Sequence, residues 1–153
     1  MRRVRQFLKR SPAERRLLAC ALALHVVIAI LLRCVGFSRL RGWGARMASR
    51  ADARRAAHEP AVLWAAATAA ALLPLGNSCL PEALTAHWML RAICGRASEV
   101  RFGVAAARGV PFVAHAWLEL DGRAVIGWPD AAAYLALDPP HVRNHFGAPS
   151  TIR

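Results

Sequence analysis

The sequence predicts an α+β fold in which a helical N-terminal half packs on a small antiparallel sheet. Two long apolar runs without charge, residues 17–32 and 61–73, occupy the first half. Beyond Gly76 the periodicity changes, first to helical spacing over residues 79–94 and then to alternation at Val100, Phe102 and Val104. Asp121-Gly122 stands between two strand-like segments, and both residues tolerate the positive φ of a tight hairpin turn. With 153 residues, 56% of them hydrophobic, the chain suits one modest domain with a real core.

The first helix has a clear start. Ser11-Pro12-Ala13-Glu14 puts a capping serine before a proline at the first helical position, with a glutamate three residues after the cap. The serine oxygen and the carboxylate can then satisfy the orphan amides. Residues 17–32 follow without a charge. A bilayer span needs about 20 apolar residues; this run is shorter, contains His25 and is closed by Arg33. It reads as a buried or membrane-skimming helix, with a true span as the alternative. Gly36 and Phe37 are expected to end it.

Residues 38–57 are basic and broken by Gly42 and Gly44, which suggests a short surface helix or loop. Pro60 opens the second apolar segment, too short to cross a bilayer, and Pro74 and Gly76 stop it. Residues 79–94 form the next helix, ended by Gly95. A half-buried strand follows around residues 100–104, then a turn at 108–111, a strand over 115–120 and its returning partner over 123–128. Pro139, Pro140 and Pro149 make the tail irregular. Three regions are expected: a hydrophobic helical region (1–75), a mixed helix-and-strand core (76–138) and an irregular tail (139–153).

The formal net charge is +12, and Lys9 is the only lysine. The alanine and arginine bias is explained as readily by base composition of the gene as by packing. Basic residues concentrate at 2–16 and 33–55, without the interleaved aromatics or motif of a nucleic-acid module. No nucleic acid is expected as a partner. The charge fits solvated faces, an acidic peptide, or a peripheral contact with anionic lipid. The four cysteines contain no CxxC pair, against a zinc knuckle or thioredoxin-type site. Cys20 and Cys34 read as small buried hydrophobes. Without a cleavable signal pattern, free thiols fit a reducing cytoplasm, with membrane association through the first helix as an addition. No cofactor and no metal is expected.

Cys79 is the first candidate for chemistry. Pro81 lacks an amide donor and is tolerated only in a first turn, so the helix starts near Asn77 or Ser78, either of which can cap it. Cys79 then lies where free amides and the helix dipole favour a thiolate and can hold an oxyanion. A buried structural cysteine is the plainer alternative. His115 sits on the next strand but one, and alternation places it on one face with Trp117 and Glu119, with Ala116, Leu118 and Leu120 on the other. A thiol at a helix start and an imidazole on a rigid strand are what a thiolate–imidazole pair needs. His25, His58, His87, His141 and His145 lack such a setting.

Asn77-Ser78-Cys79-Leu80-Pro81-Glu82-Ala83-Leu84 and Ala114-His115-Ala116-Trp117-Leu118-Glu119-Leu120-Asp121-Gly122-Arg123 resemble the lasso-peptide B protein family. The resemblance covers roughly residues 6–137. The early Ser-Pro-Ala-Glu-Arg-Arg is similar to stand-alone members without their own leader-binding domain. The resemblance implies a transglutaminase-like cysteine-protease fold, a Cys-His-Asp triad, and removal of the leader from a lasso precursor peptide. It also implies two partners: a leader-binding (PqqD-like) recognition protein and an asparagine-synthetase-like lasso cyclase.

The triad acid departs from that family. Reflecting His115 across the turn lands near Gly127 and Trp128, neither acidic. Asp121 lies at the turn, about 20 Å along the strand at ~3.3 Å per residue, too far to orient the ring. Asp130 is the nearest acid past the expected place and is the candidate third member. A backbone carbonyl or polar side chain orienting the ring is the alternative, and Gly127→Asp asks whether the acid position is merely vacant. Acyl transfer by the same Cys79 and His115, a non-catalytic adaptor and a membrane protein built on residues 17–32 are the competing readings.

Overall fold

The computed structural model describes residues 11–46, 58–73, 79–105, 113–127 and 135–137. Helix α1 spans Pro12–Cys34, α2 Phe37–Arg46, α3 Glu59–Leu72 and α4 Cys79–Met89, which continues as a π-helical turn over Leu90–Cys94. Strands β1 (Glu99–Ala105), β2 (Val113–Leu120), β3 (Arg123–Ile126) and β4 (Leu135–Leu137) form one antiparallel sheet in the order β3-β2-β1-β4. The expected α+β architecture is present.

Local chemistry explains the boundaries. Ser11 and Glu14 close the capping box on α1, with Glu14 N–H donating to Ser11 Oγ at 3.2 Å and Ser11 N–H to Glu14 Oε2 at 2.9 Å. Gly36, at φ +84°, breaks the chain between α1 and α2. Phe37 therefore begins α2 rather than ending α1. Its ring meets Phe102 edge-on at 4.6 Å and carries the Arg41 guanidinium above it. Pro60 enters α3 within its first turn. Gly95, left-handed at φ +67°, stops the π turn. Asp121 (φ +50°) and Gly122 (φ +75°) both have the positive φ of a type I′ hairpin.

One core cluster runs from Leu18 of α1 to Ile126 of β3. α4 and its π turn are its centre, with Leu84 and Leu90 fully buried, as is Leu118 of β2. α1 supplies Leu18, Ala21, His25 and Ile28, an i, i+3, i+7, i+10 stripe. Cys20 and Cys34 fall off that stripe and are exposed, contrary to the expectation that they are buried. By length and composition α1 is apolar enough to cross a membrane.

A polar link joins α1 to α4 inside this core. The Thr85 hydroxyl donates to the Pro81 carbonyl at 2.7 Å, so it accepts from His25 Nδ1 at 3.3 Å. Both side chains are fully buried. Burial holds the His25 pKa below 6.5. His87, buried and bonded through Nδ1 to Ser98 Oγ, is lowered mainly by burial and further by Arg91.

The pH consequence has a definite sign. The unfolded chain takes up these protons near pH 6.5 and the folded chain does not. The stability of the neutral imidazoles is complete above pH 6.5 and is lost as pH falls below it toward the folded values. Glu82, whose pKa burial raises above 4.5, has the opposite sign: its contribution is complete below pH 4.5 and is lost as pH rises above it through the folded value. The difference between parent and variant isolates the histidine. Melting temperature is expected to fall more steeply between neutral and mildly acidic pH in the parent than in His25→Met/Thr85→Val. Thr85→Val alone, which strands the His25 N–H, should cost about 1–3 kcal/mol. Parallel pH profiles would remove His25 as a cause of acid lability.

Candidate active site

Cys79 is the first residue of α4 and is half-buried. Pro81 lies in the same first turn, where its missing amide breaks no helical bond. The expected caps, Asn77 and Ser78, lie outside the described residues. Amides of a first turn have no intrahelical acceptor and project from the helix end, the setting that stabilises a thiolate or an oxyanion.

His115 lies on β2, opposite Gly103 of β1. Cys79 and His115 line the same cleft, about 370 Å³ in volume. α1 contributes Ala29, Leu32 and Arg33 to its wall, α4 adds Leu80 and Pro81, and the sheet adds Phe102, Ala114 and Ala116. A mainly apolar lining with one guanidinium suits a peptide segment with aliphatic side chains.

A main-chain carbonyl holds one nitrogen of the imidazole. His115 Nε2 lies 3.3 Å from the Gly127 carbonyl. A carbonyl only accepts, so Nε2 carries the hydrogen and Nδ1 is the basic nitrogen. The ring stacks with Trp117 at 6.4 Å between centroids and 20° between planes. Trp117 Nε1–H donates to Glu119 Oε1 at 2.9 Å, and Glu119 Oε2 accepts from Arg101 Nε at 3.1 Å. Arg101 also reaches Glu99 at 3.2 Å. Glu99 and Glu119 are cross-strand partners, a repulsive pair that Arg101 neutralises. The row His115, Trp117, Glu119 expected from alternation is thus one connected face.

Of the two positions to which the reflection of His115 points, the described one, Gly127, follows the last paired residue Ile126 and meets the imidazole through its carbonyl, and it is not an empty acid position. Its φ is +81°, and a Cβ there would lie 2.9 Å from Trp117 Cβ, 3.1 Å from His115 Nε2 and 3.2 Å from the Ala116 carbonyl. A register shift leaves Val125 without a partner between Ala124 and Ile126, and β3 ends at Ile126 rather than at Trp128. The bulge and the glycine together turn a main-chain carbonyl toward the imidazole. A backbone carbonyl is the expected alternative to an acid; which carbonyl it is depends on the positive φ of Gly127, which residue types alone do not give.

Asp121 is occupied elsewhere. It forms an ion pair with Arg96, whose Nε lies 3.4 Å from Glu59, so it ties the hairpin turn to the start of α3. Asp130 lies outside the described residues. Cys94 is buried, and burial, then Glu59, raise its pKa, as befits an inert core thiol. Among the described residues no group of three or more His, Cys, Asp or Glu is placed to hold a metal ion.

A family model described as the transglutaminase-like superfamily matches residues 22–137, which include Cys79, His115 and Gly127. Comparison with curated proteins and with solved structures finds no match.

Replacing Gly127 tests the carbonyl. Gly127→Ala should destabilise by about 1–2 kcal/mol from the left-handed backbone alone, and Gly127→Asp by at least as much. Both should disturb the His115 ring, readable as a shift of its imidazole NMR signals. Asp121→Asn should leave those signals in place and change stability by about 1 kcal/mol or less, the scale of a surface ion pair. An unperturbed imidazole in Gly127→Ala would dissociate the ring from this carbonyl.

Proposed function

This chain belongs to the transglutaminase-like superfamily, and we propose that it is a cysteine protease that removes the leader peptide from a lasso-peptide precursor. The observation that carries this reading is the shared cleft of Cys79 and His115, with the ring's Nε2 held by the Gly127 carbonyl. The motifs around Cys79 and His115 support the narrower substrate assignment through their resemblance to lasso-peptide B proteins.

In this mechanism His115 Nδ1 takes the Cys79 proton as the sulfur attacks the scissile carbonyl. First-turn amides of α4 hold the developing oxyanion. His115 then returns the proton to the leaving amine, and water hydrolyses the thioester with His115 again as base. A separate asparagine-synthetase-like cyclase closes the released core, and a PqqD-like partner holds the leader. Both act with this chain in the cytoplasm.

Purified chain, leader-binding partner and precursor, mixed and read by mass, should yield free leader and core. Cys79→Ala should yield neither while still associating with the leader-bound partner. Without the partner, cleavage at micromolar precursor should be slight. Normal products from Cys79→Ala would end the cysteine-protease reading, and a product joined to an added amine would redirect it to acyl transfer.

Asp130 is the remaining nominee for a third catalytic member. With Nε2 already bonded to Gly127, Asp130→Asn is expected to keep turnover within about tenfold of the parent, against the about 10⁴ lost when a true orienting aspartate is replaced. A loss of the larger size would assign the orienting role to Asp130 and make the site a triad.

A further inference from the structure

α1 is apolar on every side, yet only 28% of its most apolar stretch is buried. Its core face is Leu18, Ala21, His25 and Ile28. The opposite face carries Ala19, Ala23, Val26, Val27 and Ile30, all exposed, with Val27 47% and Ile30 54% open to solvent. A surface helix normally turns charge to that side. Here no charge falls between Arg16 and Arg33, and both arginines are exposed. α2 adds Arg39, Trp43 and Arg46, spaced i, i+4, i+7 on its exposed side. Aliphatics flanked by arginine and tryptophan are the composition of a surface at headgroup level.

We propose that the exposed face of α1 docks in the plane of an anionic lipid bilayer, with Val26, Val27 and Ile30 entering the acyl boundary and Arg16 and Arg39 meeting lipid phosphates. The net charge of +12 complements such a surface. Size argues against a protein occupant. From Arg16 to Arg33 the stripe is about 25 Å long and about 10 Å wide, on the order of 250 Å², far below the about 800 Å² per partner of a stable protein interface. A bilayer demands no area of matched shape. A span is excluded by the core face, since α1 packs on α3 and α4 and its Ala29 and Leu32 line the cleft. The docking is independent of the proposed peptidase activity.

Co-sedimentation of the full chain with sucrose-loaded vesicles tests it. Binding is expected to mixed phosphatidylglycerol–phosphatidylcholine vesicles, weakly to phosphatidylcholine alone, and to fall with added salt. Val27→Asn/Ile30→Asn should weaken it by about tenfold or more with an unchanged melting temperature, and Arg16→Gln/Arg39→Gln should flatten the salt dependence. Failure to bind anionic vesicles, or binding indifferent to Val27→Asn/Ile30→Asn, overturns the proposal. So does a dimer that the same variant dissociates without any vesicle binding, which assigns the face to a second copy. Membrane-bound chain that resists carbonate extraction would make α1 a span and overturns in-plane docking.

Discussion

The described elements are arranged around the burial of α4. Seven of its eleven residues are buried, so α1, α3 and the sheet must pack on it from several sides. Close approach of helices needs small side chains, and the contacts are rich in alanine: Ala65, Ala66 and Ala69 on α3, Ala83 and Ala86 on α4, Ala21 on α1, all fully buried. The alanine bias that base composition explains equally well is, at these positions, a packing requirement. Cys79 and Leu80 at the start of α4 are only half-buried, where they line the cleft with residues of α1 and the sheet. The same burial that rigidifies the helix therefore leaves Cys79 at its open end.

The opposite wall depends on one backbone irregularity. A regular β2–β3 hairpin would continue the ladder past Ile126. The unpartnered Val125 and the positive φ of Gly127 end it instead and turn a carbonyl to His115 Nε2. Bulges re-aim groups next to functional sites in this way. The Trp117–Glu119–Arg101 chain supports the ring from beside it. Both supports are short and local, so the imidazole can be held without a carboxylate.

What was legible in the sequence follows from which signals are local. The Ser11 capping box, the Asp121-Gly122 turn, the first-turn proline at Pro81 and the alternation through His115 each depend on neighbouring residues, and the corresponding elements stand where they were expected. Cys20 and Cys34 were misread because a uniformly apolar helix offers no contrast to show which side faces the core. The π turn at Leu90–Cys94 and the bulge at Val125 alter register without altering residue type, so no pattern announces them. The Gly127 carbonyl was invisible for a deeper reason: every residue has a carbonyl, and only φ decides where it points.

Where a carbonyl rather than a carboxylate orients the ring, the proposed chemistry has less to draw on. An aspartate beside a catalytic histidine fixes the tautomer and also stabilises the imidazolium that forms as the thiol is deprotonated. A neutral carbonyl accomplishes the first and only weakly the second. Thiols tolerate this better than serine hydroxyls, because a thiolate at a helix N-terminus is already favoured by the amides and dipole around it. A Cys79–His115 pair of this kind has less transition-state charge stabilisation of its own to offer, and more of its rate must come from holding the substrate in place. A mainly apolar cleft with one guanidinium offers a peptide few polar anchors. The two limitations point the same way: efficient turnover is expected where a second protein delivers the scissile bond to the cleft, raising its local concentration far above that of free precursor.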